Sequence, residues 1–184
     1  MTRIILTVFS LLGSVLPVGA QQQPSQRVFE QSSRDLFFTI PAGFQPVSEG
    51  RRYLRPETHE VPRFQRMWAH GSDGIIISII VIPDAAWQTK SSKQLFADGL
   101  IAMLSDPTLK KASERTYELD GVPAVSIDCF YDRPDGTSQR LDCFLSKPNM
   151  FMVAYLSSKP SSWDEPASKA FFQTVKLKPR AQQP

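Results

Sequence analysis

Hydrophobic residues change their spacing along the chain, and each spacing predicts a different element. Alternating or continuous apolar stretches, which are typical of β-strands, occur at residues 36–40, 44–47, 52–54, 64–69, 75–82, 114–119, 124–131, 139–146, 150–157 and 175–177. The stretch at 75–82 is apolar at successive positions, so we expect a central strand that is covered on both faces. Turns containing glycine, proline or aspartate separate most of these stretches.

Two segments have the three- and four-residue spacing of helices. Apolar residues with this spacing predict a helix over residues 89–106, with Ser91 or Ser92 as its N-cap. A second helix is expected to begin at Ser162, which fits a capping box with Glu165. Runs of strands joined by tight turns, with only two helices, predict an α+β fold. We expect an antiparallel β-sheet flanked by helices, an α/β/α sandwich.

Residues 1–20 have the pattern of a signal peptide. A positive charge at Arg3 precedes an apolar core at residues 4–16, and Val18 and Ala20 provide the small residues of a cleavage site. We therefore predict cleavage after Ala20 and a periplasmic or secreted location. The alternative is an uncleaved N-terminal anchor, although the apolar core is shorter than a spanning helix requires.

The rest of the chain is expected to form one domain. A polar, aperiodic leader at residues 21–34 is predicted to be flexible, followed by a single α+β domain at 35–178 and a tail at 179–184. Lys and Arg number 21 against 18 for Asp and Glu, an excess too small to indicate nucleic acid as a partner. The longest later apolar stretch has the length of a strand, so no stable membrane span is expected after cleavage.

The two cysteines, Cys129 and Cys143, lie in neighbouring predicted strands. If residues 135–137 form the tip of the hairpin, Cys129 lies opposite Cys143, and Asp132 lies opposite Arg140 as an attractive pair. Thiols that meet in an oxidising compartment normally pair. The sequence therefore predicts a Cys129–Cys143 disulfide, with two buried unpaired thiols as the alternative.

Candidate catalytic and metal-binding residues are few. His59 lies near acidic residues in a proline-bounded segment, and His70 lies beside Ser72 and Asp73 in a turn. Metal sites normally need three or four converging ligands, and neighbours on one turn rarely have triad geometry. We interpret these residues as surface and turn positions, and we predict no catalytic residue and no metal site.

Two acidic residues, Asp128 and Asp142, are expected on the face opposite the cysteines. They would form an acid pair only if the strand register slipped by one step, which like-charge repulsion disfavours. The chain also has no phosphate-binding loop or dinucleotide fingerprint, so no cofactor is predicted.

One segment concentrates positive charge next to an aromatic residue. Trp68 follows closely on five arginines, namely Arg51, Arg52, Arg55, Arg63 and Arg66. One interpretation is a charged strand edge that discourages strand pairing. The other is a binding surface for an anionic ligand, a lipid headgroup or an acidic partner, because aromatic residues among arginines are typical of interfaces.

The order of elements and three local patterns resemble the Mog1/PsbP-like family, including exported bacterial members similar to DcrB. The patterns are FFTIPAGF at residues 37–44, LDGVPA at 119–124 and FFQTVKL at 171–177. The resemblance covers nearly all of residues 35–178 and implies a central antiparallel sheet flanked by helices. It implies little about activity, and it supplies no catalytic residues.

Together these features favour an exported, non-enzymatic binding or assembly module of the bacterial cell envelope. Its partner would be an envelope protein or an anionic ligand. The alternatives are a periplasmic hydrolase whose site is built from scattered residues, and a structural protein that an uncleaved signal holds at the membrane.

Overall fold

Strands dominate the part of the chain that the computed structural model describes, namely residues 26–28, 34–49, 64–104, 106–134 and 136–179. In chain order its elements are β1 (Gln26–Val28), β2 (Arg34–Phe38), β3 (Gln45–Glu49), β4 (Phe64–His70), β5 (Asp73–Val81), α1 (Asp84–Thr89), α2 (Ser92–Leu104), β6 (Leu109–Leu119), β7 (Val122–Tyr131), β8 (Ser138–Ser146), β9 (Asn149–Ser157), α3 (Pro166–Thr174) and β10 (Lys176–Pro179). A single 3-10 turn, Ser162–Asp164, precedes α3.

Seven of these strands form a large sheet in the order β3-β4-β5-β9-β8-β7-β6, and all neighbours are antiparallel. A small antiparallel sheet has the order β1-β2-β10. The predicted central strand is confirmed as β5, which pairs with β4 on one side and β9 on the other. Its Ile77 and Ile80 are buried in separate hydrophobic clusters, so both faces are covered.

The two faces of the large sheet have different covers. The face we call the α2 face carries Leu141 and Cys143, which cluster with Leu95 and Phe96 of α2. The opposite face, here the small-sheet face, is covered by β2 and β10 together with α3, whose Phe171 lies in the same cluster. The expected sandwich is therefore confirmed only in part, because a small sheet provides much of one outer layer.

The first predicted helix, over residues 89–106, is confirmed as α2, and a short helix that was not predicted, α1, precedes it. The helix α1 begins after Pro83, whose carbonyl accepts hydrogen bonds from the amides of Ala86 and Trp87. It spans six residues, too few for a helical period to be visible in the sequence. Ser91 then caps α2, because its amide and hydroxyl both bond the Gln94 side chain, at 2.8 and 2.9 Å.

The predicted capping box of Ser162 and Glu165 was wrong. Glu165 itself occupies the N-cap position of α3 and makes no side-chain capping bond. Pro166 explains this start, since a residue before proline avoids the helical region and Glu165 is extended, with φ −60° and ψ 134°. Proline is well tolerated in the first turn that follows.

The predicted disulfide is also contradicted. Cys129 lies opposite Gln139, while Cys143 lies opposite Val125, and both thiols are free. Cys129 lies four positions along the strand from Val125, about 13 Å, whereas a disulfide requires Cα atoms within about 7 Å. The alternative of two buried thiols describes the structure.

A different hairpin turn causes this change of register. The amide of Gly136 donates to the carbonyl of Arg133 at 3.0 Å, with Pro134 in the second position of the turn. Proline in that position and glycine at the end, here with φ 58°, are favoured in tight turns. Thr137, expected at the tip, instead pairs with Tyr131 through a 2.8 Å hydrogen bond.

Several predicted segments fall outside the described residues. These include the signal peptide at 1–20, most of the leader, the short strand at 52–54 and the end of the tail. Three residues of the predicted flexible leader form β1, which pairs with β2. Among the described residues, no helix is both long and apolar enough to cross a membrane.

Candidate functional site

The arginine-rich segment lies almost entirely outside the described residues, so its role stays a prediction for Arg51, Arg52, Arg55 and Arg63. Arg66 is half-buried in β4, where it lies opposite Ile77. Trp68 is only 4% exposed, and its ring packs edge-on against Phe38 with 5.6 Å between centroids. Trp68 therefore belongs to the core and does not offer its ring to a partner.

The turn near His70 does not form a catalytic triad. Asp73 accepts hydrogen bonds from the hydroxyls of Tyr155 and Ser157, at 2.8 and 2.7 Å. The ring of His70 lies against Phe44, with 5.6 Å between centroids. Among the described residues no hydrogen bond joins His70 to Asp73.

His59 lies outside the described residues. In the part of the chain that is described, no three His, Cys, Asp or Glu side chains group as metal ligands.

A cluster of polar side chains lies on the small-sheet face, where β6, β7 and β8 run side by side. Ser113, Asp128 and Arg140 are cross-strand neighbours in one row, and Arg115, Ser126 and Asp142 form the next row. With Tyr117, which reaches into the second row, these residues are called the polar patch. The patch was missed from sequence because it depends on the register of three strands.

Asp142 is the most heavily bonded residue of the polar patch. It is 2% exposed and accepts two hydrogen bonds from Arg140, from Nε at 3.0 Å and from a terminal nitrogen at 2.9 Å. The hydroxyls of Ser126 and Tyr117 donate to its two oxygens at 2.6 and 2.8 Å. A carboxylate with this many donors is held in one orientation.

Arg140 and Tyr117 keep their protons in this environment. Burial works to lower the pKa of Arg140, but hydrogen bonding to Asp142 and its charge raise that pKa overall. The guanidinium also lies over the ring of Phe172 on α3, at 4.1 Å from its centroid. Burial, followed by the charge of Asp142, raises the pKa of Tyr117 far above its usual value. Both groups therefore act as fixed donors.

Asp128 differs from Asp142 because one of its oxygens has no partner among the described residues. The residue is 8% exposed, and its Oδ2 accepts a 2.6 Å hydrogen bond from Ser113. Its Oδ1 is buried and accepts no hydrogen bond from any described residue. Buried carboxylate oxygens are rarely left in this state, because their desolvation is then uncompensated.

The surroundings of Asp128 are open on one side. Phe130 follows on the same strand and the same face and is 38% exposed. A bulge in β6 between Lys111 and Ser113 turns Ser113 towards this face, opposite Asp128. Ser113 and Arg115 are exposed on the edge strand β6. The patch can therefore accept and donate hydrogen bonds at the surface.

The sequence carried one usable signal for this site. Asp128 and Asp142 were expected opposite the cysteines, and this is confirmed, because both cysteines lie in the cluster on the α2 face. Polar residues alternate with apolar ones at 126 and 128 and again at 140 and 142. Such alternation within strands buried on both faces indicates a polar site inside the fold.

Comparison with solved structures relates the chain to one known fold. It is similar to PsbP (CyanoP) from Synechocystis sp. PCC 6803, at 12% identity with a TM-score of 0.56, covering 91% of this chain and 99% of that one. PA94 of Pseudomonas aeruginosa, a protein of unknown function, gives 20% identity and a TM-score of 0.47, covering 86% and 99%. LpqN, involved in cell envelope biogenesis of Mycobacterium tuberculosis, gives 13% and 0.48, covering 85% and 91%.

The similarity to PsbP shows the fold. The resemblance predicted from the order of elements is therefore confirmed at the level of the fold, which is a PsbP-like, mostly antiparallel β-sheet with few helices. No family model matches the sequence. No curated protein matches it either. At this identity a shared fold does not define activity.

Proposed function

We propose that this chain is an exported, non-enzymatic binding module of the bacterial cell envelope. The observation that carries the proposal is the unpartnered Oδ1 of Asp128, buried within an ordered network beside the exposed ring of Phe130. A buried acceptor without a donor is costly to the isolated protein, and a ligand that supplies the donor would recover that cost.

The order of the network supports binding over catalysis. Asp142 has its oxygens occupied by Arg140, Ser126 and Tyr117, and the raised pKa values of Arg140 and Tyr117 keep these two donors protonated. A site of this kind is preorganised, since little side-chain freedom remains to be lost when a ligand binds. The export signal predicted at residues 1–20 supports the envelope as the place of action.

Site-specific photo-crosslinking in the intact source cell tests the binding surface. A benzophenone amino acid at position 130 should give an adduct of raised mass, because the side chain there is exposed next to the polar patch. The matched control is position 101, where Ile101 is 49% exposed on α2, on the other side of the sheet. Adducts at neither position, or equally at both, would contradict the proposal.

The export step is tested on the same chain. Mass spectrometry of the periplasmic protein should show Gln21 as the first residue, because Ala20 ends the cleavage site. Ala20→Leu should block processing, whereas Ala20→Gly, which keeps a small residue, should not. Full-length protein recovered from the cytoplasm would refute the assignment to the envelope.

A further inference from the structure

We infer that the polar patch together with Phe130 binds an uncharged, hydroxyl-rich ligand, of which a saccharide is the chemical class. This inference rests on the proposed function and specifies its ligand. The first supporting observation concerns Asp128. Its Oδ1 can accept a hydrogen bond that no described residue supplies. Hydroxyl groups are strong donors to carboxylates, with short charge-assisted hydrogen bonds.

The charges around Asp128 favour a neutral donor over a charged one. Arg140 lies directly opposite Asp128, and Lys110 and Arg115 lie on β6 opposite the neighbouring residues Phe130 and Ser126. A cationic ligand would approach Lys110 and Arg115 beside the Arg140–Asp142 ion pair, and an anionic ligand would approach the Asp128 carboxylate. A hydroxyl group avoids both repulsions while providing the donor.

Donors and acceptors alternate across the patch, as a polyol requires. Asp128 is the acceptor. Arg115 is exposed, and one of its terminal nitrogens donates a hydrogen bond to the hydroxyl of Ser126 at 3.3 Å. A guanidinium has five N–H groups, so others remain for ligand oxygens. Neighbouring hydroxyls of one sugar ring could therefore donate to the carboxylate and accept from the guanidinium.

The exposed ring of Phe130 adds a flat apolar surface beside these groups. The face of a phenyl ring is negatively polarised and attracts the C–H groups that line one side of a pyranose. The exposed large apolar residues among those described, Val47, Ile101 and Phe130, lie on separate elements. A stable protein interface needs an apolar centre of many residues, so this surface fits a small polar ligand better.

Reaching Asp128 requires a local change at the edge strand. Its Oδ1 lies beneath the surface, while the Ser113 hydroxyl that bonds Oδ2 belongs to an exposed residue. A shift of the Asp128 and Ser113 side chains that keeps the Ser113 bond to Oδ2 would bring Oδ1 to the surface, where a ligand hydroxyl can donate to it. Ser113, the exposed member of this pair, can change rotamer within nanoseconds and so uncover the carboxylate.

Amide NMR of the purified exported chain tests the inference, with a neutral tetrasaccharide of N-acetylglucosamine as the probe. Amide signals of Ser113, Asp128 and Phe130 should shift saturably, with a Kd of about 1 mM. The Kd should stay constant when salt is raised to about 1 M, because the ligand is uncharged. Asp128→Asn, which keeps the shape, and Phe130→Ala should each weaken binding about tenfold.

Two control variants and two further probes define the other outcomes. Asp98→Asn and Ile101→Ala, both exposed on α2, should leave the Kd unchanged. No saturable shift up to about 20 mM saccharide, or full binding by Asp128→Asn, overturns the inference. Saturable binding of tetralysine or inorganic phosphate at the patch in place of the saccharide overturns it as well.

The outcome is separable from the test of the proposed function. A chain that is exported and crosslinks at position 130 but binds no saccharide keeps its proposed function and loses this ligand. A chain that is not exported loses the proposed function, while the titration still reports on the patch.

Discussion

The small-sheet face of the large sheet has two halves that differ in composition and in cover. In the half formed by β4, β5 and β9, cross-strand neighbours are mostly apolar, as with Ile77 beside Val153. In the half formed by β6, β7 and β8, the same rows of cross-strand neighbours become polar and form the polar patch. Asp142, for example, lies next to Val153. The small sheet and α3 cluster with the apolar half and with Val122, Ala124 and Phe144 at one end of β7 and β8, and Phe172 of α3 also covers Arg140.

This difference indicates that the two halves serve different purposes. Burying an ion pair costs desolvation energy, and apolar residues of similar size often stabilise a protein as well or better. Stability alone therefore does not explain why Arg140 and Asp142 occupy the continuation of an apolar face. The apolar half supplies the free energy of folding, and the polar half supplies positioned hydrogen-bonding groups.

The largest effect is expected from a truncation in the apolar half. Phe151 is fully buried at the centre of the large sheet, so Phe151→Ala should lower the free energy of unfolding by about 3–5 kcal/mol. Urea denaturation measures the change. The matched variant is Phe130→Ala at the edge of the polar patch, where the side chain is 38% exposed and the loss should stay below about 1 kcal/mol. Equal losses would remove the energetic distinction between the halves.

The second effect concerns the ion pair in the polar patch. Asp142→Asn keeps the shape of the side chain but leaves the Arg140 guanidinium, whose side chain is 16% exposed, without its carboxylate. The expected loss is about 3 kcal/mol, again measured with urea, because an uncompensated charge then stays largely buried.

A double variant separates the ion pair from the fold. Adding Arg140→Met to Asp142→Asn removes the unpaired charge, while the new amide can still bond Ser126 and Tyr117, so this double variant should recover most of the stability lost in Asp142→Asn. If the double variant were as unstable as Asp142→Asn alone, the Arg140–Asp142 ion pair would itself stabilise the fold. A role of this pair in ligand binding would then be less well supported.

The apolar half of the molecule could be predicted from sequence, and the polar patch could not. Strands such as 75–82 are recognisable because each residue's burial follows from its own hydrophobicity and that of its neighbours. The patch depends on which residues lie opposite one another across three strands. In the hairpin of β7 and β8, the turn at Arg133 and Gly136 changes the cross-strand partner of each residue by four positions from the prediction. Cys129, for example, lies opposite Gln139.

The wrong disulfide has the same origin. Pairing Cys129 with Cys143 gave an attractive alignment, with Asp132 opposite Arg140, but the observed register also satisfies Arg140 by placing it opposite Asp128. Charge pairing did not distinguish the two alignments. The turn did, because the position of a proline and a glycine within a tight turn is sterically defined.

The third effect is a dependence of stability on alkaline pH that originates in the polar patch. Burial and the Asp142 charge raise the pKa of Tyr117, whereas tyrosine in the unfolded chain loses its proton near pH 10. Above about pH 10 the folded state therefore binds more protons, and stability falls as pH rises. Each such tyrosine should contribute a slope of about 1.4 kcal/mol per pH unit.

Tyr117→Phe should make the slope less steep by about 1.4 kcal/mol per pH unit. The slope is obtained from free energies of unfolding measured between about pH 8 and 11. Tyr155→Phe provides the comparison from the apolar half, because burial and its bond to Asp73 also raise the pKa of Tyr155. A Tyr117→Phe slope equal to that of the unmodified chain would mean that Tyr117 titrates normally and that the patch is more hydrated than the structure indicates.

The smallest effect is expected from an ion pair outside both halves. Lys90 and Asp98 are 2.5 Å apart near α2, with side chains 43% and 54% exposed. Lys90→Met should change the free energy of unfolding by no more than about 1 kcal/mol, because water and salt screen exposed charges. The small change should vanish at about 1 M salt, while the loss in Asp142→Asn should persist, since its partner charge is buried. If both variants lost the same free energy with the same salt dependence, burial would not be what distinguishes the polar patch from an ordinary charged surface.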